Sequence, residues 1–266
     1  MNTPSLVSSS PPPSPQATGR AVWDRVWRHH PSDSRDDALL ARERNGLRWA
    51  AIVSRIESAF GRIAGLRTIE LGSGRGDLSI LLAERGARVT LLDENPAALA
   101  QAQYRFDRLG LAGGYEQDDF LGPRKAHADR FDVAVSSGVI EHFQGADRTR
   151  AIAAHACALR AGGMAIISVP NAWCIPYRVW KKYLELRGWW PYGMERPYAH
   201  GELLRRSREA GLTEADVLGI GFWQFMRKHW AFSPRARRPH AETKISRLDK
   251  LFGASLVLFA RKAVFR

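Results

Sequence analysis

The sequence predicts an α/β fold, a doubly wound and mostly parallel seven-stranded sheet with helices on its faces. Three observations predict it. Seven short runs rich in Val, Ile and Leu alternate with segments of helical spacing, and Gly or Asn punctuates the joins between them. A chain of 266 residues is long enough to enclose one large core.

The elements follow in chain order. Residues 1–20, "MNTPSLVSSSPPPSPQATGR", are rich in Ser and Pro, with no basic residue before Arg20, and read as a disordered tail rather than a signal segment. From Asp36 to about Ile63 the residues Leu39, Leu40, Leu47, Ala50, Val53, Ile56 and Phe60 recur at three- and four-residue intervals. That spacing predicts one amphipathic helix within an N-terminal helical segment, 21–65, packed ahead of the main domain, 66–266. "RTIELG" is a strand, "DLSILLAERG" a helix closed by Gly86, and "ARVTLLD" a second strand. "ENPAALAQAQYRFDRLG" is a helix that Asn95 can cap, with Pro96 in its first turn and Gly110 at its end. Five further strands are predicted in "GGYEQDDF", "FDVAVSS", "GMAIISVP", "EADVLGIGF" and "GASLVLFARK". The rhythm breaks near 171–200, after the fifth strand, and near 222–250. Both segments are long enough to be insertions that cap a site.

Composition narrows the function classes. Hydrophobic content of 45% fits a soluble globular chain, and no stretch approaches the ~18 apolar residues of a membrane span. A cytoplasmic protein is expected, with peripheral membrane contact as the alternative. Cys157 and Cys174 lack metal-ligand spacing, which argues against a disulfide framework or a zinc site and leaves two free thiols. The net charge of +13 is uneven: up to residue 170 there are 21 basic residues against 19 acidic, and beyond it 19 against 8, together with six of the nine tryptophans. Such a surface suits an anionic partner with an apolar portion, as in a lipid head-group region, a nucleic acid or a phosphorylated substrate. Arg enrichment also follows simply from a GC-rich coding background.

The stretch "TIELGSGRGD", residues 68–77, carries the chemistry. Its glycines Gly72, Gly74 and Gly76, with Ser73 between the first two, let the backbone approach a ligand closely and turn amide N–H groups toward it. Glu70, just before the turn, is unfavourable beside a pyrophosphate and suits a cationic amine or sulfonium. The next strand ends in Asp93, followed by Glu94, a suitable distance on for hydrogen bonds to a ribose diol. A dinucleotide fingerprint counted from Gly72 would need its third glycine at Asp77, so that reading fails.

With these residues the chain resembles the class I S-adenosylmethionine-dependent methyltransferases of the small-molecule type, over roughly 66–170 and more loosely beyond. The resemblance implies a Rossmann-like sheet and S-adenosyl-L-methionine as the cofactor. It implies that the turn of Glu70, Gly72, Ser73, Gly74 and Gly76 holds the methionine part, and that Asp93, beside Glu94, takes the ribose. Asp119 and Phe120 match the family's adenine contact, with Asp118 leaving a one-residue ambiguity. "FDVAVSSGVIEHF" looks like the fourth strand and its cofactor-lining end, Ser136 to Glu141. "LRAGGMAIISVPN" looks like the family's L-x-P-G-G turn and fifth strand, with Ala161 in place of the usual proline, which only stiffens the turn.

Methyl transfer from a sulfonium is an in-line displacement, so holding the acceptor aligned in a dry pocket does much of the work, and a hydroxyl acceptor also needs a base. His142 is the candidate base, with Glu141 orienting it or lining the cofactor; the plainer reading is that this pair only shapes the pocket. No metal is expected, because two adjacent ligands without nearby partners make a poor site. In "NAWCIPYRVWKKYLELRGWWPYGMERPYAH" the residues Trp173, Tyr177, Trp180, Leu184 and Trp189 can share one side of a helix, beside Arg178, Lys181, Lys182, Arg187 and Arg196. That segment can lie in a bilayer interface, cap an apolar pocket, or merely pack on the sheet. The sequence therefore reads as a methyltransferase acting at O or N of a small-molecule or lipid-linked acceptor. An RNA or protein methyltransferase that uses the basic C-terminal part, or a non-catalytic cofactor-binding partner subunit, is the alternative. No recognisable nucleic-acid module accompanies the aromatic residues.

Overall fold

The computed structural model describes residues 19–28, 33–122, 127–230 and 244–264. The tail expected over 1–20 falls outside the described residues up to residue 18. Three helices come first: α1 (Arg20–Trp27), α2 (Asp33–Arg44) and α3 (Leu47–Phe60). The single helix expected from Asp36 to Ile63 is thus two, and the reason is local. Gly46 adopts extended backbone at the N-cap of α3, and Asn45 turns its side-chain amide back to the Ala41 carbonyl at 2.9 Å. The apolar spacing runs on across this break because both helices pack on the same core.

The strands β1 (Arg67–Leu71), β2 (Arg88–Asp93), β3 (Gly114–Gln117), β4 (Phe131–Ser137), β5 (Leu159–Pro170), β6 (Leu212–Ile220) and β7 (Ser255–Lys262) form one sheet in the order β3-β2-β1-β4-β5-β7-β6. All pairings are parallel except those of β7, which runs antiparallel to both β5 and β6. The expected seven strands are present. β3 is shorter than "GGYEQDDF" because aspartate side chains turn the backbone out of the ladder: Asp118 Oδ1 accepts from Asp119 N and Asp119 Oδ1 from Leu121 N, both at 2.9 Å.

Helices α4 (Asp77–Ala83), α5 (Pro96–Arg108), α6 (Asp147–Ala158) and α8 (His200–Glu209) cover the sheet, while α7 (Ile175–Leu186), α9 (Phe222–Trp230) and α10 (Arg247–Phe252) belong to the two insertions. Asn95 caps α5 as expected, its Oδ1 accepting from Ala97 N at 2.9 Å and Ala98 N at 3.3 Å. Strand residues alternate between two apolar cores. Val133, Val135 and Ile166 join Ile52, Ile56, Leu81 and Phe106 on the α3–α5 face. Ile69, Leu71, Ala134 and Ile167 join Ile152 and Leu203 on the α6–α8 face. The chain leaves β1 toward β2 and β3, then returns to lay β4 on the other side of β1. Such a reversal opens a crevice beyond the carboxyl ends of β1 and β4, where open α/β sheets bind ligands.

Candidate active site

The β1 end of the crevice is built by the glycine turn. Gly72, Gly74 and Gly76 all have positive φ, at 66°, 51° and 71°. At Gly76 a second constraint applies, since a Cβ there would lie 2.5 Å from Leu91 Cδ2. Glu70 is buried and accepts from Ser79 N at 2.9 Å and Ser79 Oγ at 2.6 Å, so it anchors the first turn of α4. Burial pushes its carboxyl up to about 7, against the pull of the Ser79 bonds and of Arg48. Asp93, at the end of β2, accepts from Gly74 N at 2.8 Å and from Asn95 N at 2.9 Å, tying the turn to the start of α5. Burial raises its carboxyl too.

Several features of these residues fit a cationic nucleoside cofactor. Ser73 Oγ is buried without a hydrogen-bond partner. Glu94 is raised by partial burial and by the neighbouring carboxylates Asp93 and Asp119, so three acids stand together at the β2 edge. Arg75, the one cation of the turn, is paired with Asp36 of α2. Asp119 is exposed, whereas Asp118 lies 3.7 Å from His127 Nε2, which favours Asp119 as the acid open to a ligand.

Not every expected contact comes together. Phe120 is buried in the core on the α6–α8 face, stacked on Phe143 at 5.4 Å between centroids and edge-on to His155 at 5.7 Å. Ser136 points into the same layer, its hydroxyl 2.9 Å from His155 Nε2. The strand alternation explains this: Ser136 faces α6, and the residue at the strand's open end is Ser137, which accepts from Arg48 Nη1 at 2.7 Å.

Beyond β4, a 3-10 turn (Ile140–His142) presents Glu141 and His142. His142 Nδ1 lies 2.6 Å from the Met194 carbonyl oxygen. A carbonyl can only accept, so Nδ1 carries the proton and Nε2 keeps its lone pair. Burial lowers the imidazole to about 4, which holds it neutral near pH 7. Glu141 is raised well above the carboxylate range by burial and by Glu195, and its Oε2 is buried without a partner. Glu195 in turn accepts from the Tyr177 hydroxyl at 2.6 Å. Glu141, His142 and Glu195 bring one ligand atom each within 4.8 Å of one another. The expectation that the pair has no third ligand nearby is therefore corrected: the insertion after β5 supplies one, and the three can hold a divalent cation.

Residues that the sequence did not single out complete the walls. On α1, Trp27 lies so close to the turn that a Cβ on Gly74 would be 2.9 Å from its ring, and Trp23 sits edge-on to His142 at 4.9 Å. Bonds from Asn95 Nδ2 to Asp24 at 2.7 Å and from Gln101 Nε2 to the Trp27 carbonyl at 2.6 Å fasten α1 to α5. The only signal for α1 was a tryptophan pair at i, i+4 just after a Ser/Pro-rich stretch. Arg148 of α6 is fully buried and donates to the Arg196 carbonyl at 2.9 Å and to Glu202 at 3.0 Å, with its guanidinium 3.5 Å from the Tyr198 ring centroid. It thereby holds the segment that carries Met194 and Glu195.

Comparison with known proteins bears on the family and the fold. Residues 69–163 match the family model described as a methyltransferase domain. The chain is 31% identical over 164 residues to a ubiquinone biosynthesis O-methyltransferase of Methylobacterium sp., a match that covers 59% of this chain and 64% of that protein, just under two thirds of its length. It is 31% identical over 173 residues to a protein of the same description from Aromatoleum aromaticum, covering 60% of this chain and 69% of that one. Among solved structures, the 1,6-didemethyltoxoflavin-N1-methyltransferase of Burkholderia thailandensis, with S-adenosylhomocysteine bound, superposes with a TM-score of 0.56 at 19% identity, covering 92% and 88% of the two chains. The matched domain, the relatives and the strand order agree, and the chain belongs to the class I S-adenosylmethionine-dependent methyltransferase family.

Proposed function

We propose that this protein transfers a methyl group from S-adenosylmethionine to a hydroxyl oxygen of a small-molecule or lipid-linked acceptor. The observation that carries the oxygen assignment is His142: neutral, fixed through Nδ1 by the Met194 carbonyl, with Nε2 free to take a proton. The two relatives are described as O-methyltransferases of ubiquinone biosynthesis, which supports the same acceptor atom. Glu70, the Gly72–Gly76 turn, Asp93, Glu94 and Asp119 would hold the cofactor, which supplies an electrophilic methyl group when bound. His142 would take the hydroxyl proton as the acceptor oxygen gains the methyl group and S-adenosylhomocysteine is left, while Trp23, Tyr177 and Tyr192 would exclude water. Transfer of labelled methyl from S-adenosylmethionine into an extract of the source cells tests the reading. Base-stable label in the organic-soluble fraction supports a lipid-linked hydroxyl, and label confined to protein or RNA refutes it.

A divalent cation among Glu141, His142 and Glu195 is the second reading, favoured by the partnerless Glu141 Oε2. Activity that survives EDTA keeps His142 as the base; activity lost to EDTA and restored by magnesium or zinc assigns the three residues to the ion.

Two binding predictions follow from the turn. Asp93→Ala removes the acceptor for Gly74 N and Asn95 N as well as the proposed ribose contact. Cofactor binding is expected to weaken by about 100-fold, and unchanged affinity in calorimetry would contradict the ribose assignment. Glu70 sits at about 7 in the free protein, so it is mostly protonated at lower pH and must ionise to face a cation. Affinity for S-adenosylmethionine should rise about tenfold from about pH 6 to about pH 8, with proton release on binding. Glu70→Gln should flatten that rise.

A further inference from the structure

The helix α7 is built the wrong way round for a helix facing water. Its buried residue is Lys181, 8% exposed, paired with Glu185 and 5.1 Å from the Trp190 ring centroid. Its outward residues are Ile175, Val179, Tyr183 and Leu186, exposed by 56%, 50%, 50% and 76%. Spaced by four, four and three, these four fall on one stripe. The aromatic residues expected to share the helix face lie elsewhere. Tyr177 and Trp180 point inward onto Phe225 of α9, each at 5.7 Å between centroids, and Trp180 also meets His229 at 4.3 Å.

Isolated apolar residues on a surface are ordinary, but a continuous stripe of this kind marks a contact. Its borders are cationic: exposed Arg178 and Lys182 run along one side, and Arg187, 4.6 Å from the Trp189 ring centroid, lies at the other. The one acid of α7, Glu185, pairs with buried Lys181 and reaches Lys182 Nζ at 3.5 Å, where the Lys182 side chain stays largely exposed. Trp189, at 47% exposure, continues the rim with an indole of the kind that settles at a head-group boundary. An exposed apolar stripe bordered by cations is suited to lying in an interface.

We propose that α7 docks this protein on an anionic lipid surface, with Ile175, Val179, Tyr183 and Leu186 among the acyl chains and Arg178, Lys182 and Arg187 at the head-group phosphates. The inner side of the same helix carries Tyr177, which bonds Glu195 beside His142. Docking therefore brings the acceptor wall of the site to the membrane, which deepens the reading of a lipid-linked acceptor. The test needs neither acceptor nor cofactor, so its failure and that of methyl transfer are separately visible.

The full chain is sedimented with vesicles of phosphatidylcholine alone and of phosphatidylcholine with about one third phosphatidylglycerol. Binding to the mixed vesicles is expected, with little to the neutral ones. Val179→Asp with Leu186→Asp should lower binding about tenfold or more without shifting the thermal unfolding midpoint, since both side chains face outward. Arg178→Gln with Lys182→Gln should remove the preference for phosphatidylglycerol. Wild-type protein left in the supernatant, or undiminished binding by the aspartate variant, would overturn the proposal. So would a dimer in light scattering that the aspartate changes split, because a second copy would then cover the stripe.

Discussion

Arg148→Met is expected to destabilise the fold by about 3–5 kcal/mol, the range found when one member of a buried ion pair is removed. Arg148 is fully buried and is the shared partner of Glu202, the Arg196 and Pro197 carbonyls and the Tyr198 ring. Methionine fills much of the volume but leaves two carbonyls without this donor and Glu202 with Arg206 as its remaining cation, at 2.9 Å. Chemical denaturation measures the loss. Because the Arg196 carbonyl belongs to the segment that also supplies Met194 and Glu195, the acceptor side should loosen first, with KM for the acceptor rising before cofactor affinity changes. A variant as stable as the parent would show that the segment is held by other contacts.

His142→Ala is expected to lower kcat by about 10²–10⁴-fold, the usual contribution of a positioned general base. Cofactor affinity should stay within a few-fold, since His142 bonds Met194 and packs on Trp23 rather than on the glycine turn. His142→Asn is the sharper variant. Its amide can still donate to the Met194 carbonyl, so the segment stays in place while the Nε2 lone pair is lost. Both variants should be equally slow. Recovery of activity in the asparagine variant alone would mean that His142 serves only to hold the 194–198 segment.

The sheet and the glycine turn with its neighbouring acid were legible because their signals are local. A glycine at a strand–helix junction, an acid at a strand end and an asparagine before Pro96 each express a constraint within a few residues, and Gly76, Asp93 and Asn95 stand where those constraints place them. The surroundings of His142 were not, because their contacts join residues distant in sequence. Glu195 meets His142 only after the chain has passed through β5 and α7, and Arg148 reaches Arg196 across 48 positions. Ser136 shows a finer limit. Its place at the end of a strand was clear, but one step of alternation decided that its hydroxyl belongs to His155 and the core. The helix α7 misled for a different reason. Its aromatic content was read as a single face, while the burial of Lys181 turned the helix so that the aliphatic residues point outward.

The reversed direction of β7 has a bearing on how such a protein can diversify. Since β6 runs with the parallel strands and β7 against them, the connection between β6 and β7, which carries α9 and α10, leaves and re-enters the sheet at the same end as the insertion that follows β5. Two segments separated by two whole elements of the chain thus stand at one end of the strands, where α7 and α9 meet through Tyr177, Trp180 and Phe225. Either one can lengthen, shorten or be exchanged without altering a strand register or an acid of the cofactor side. The two insertions can therefore change together as a paired module while the sheet and the glycine turn stay as inherited hardware.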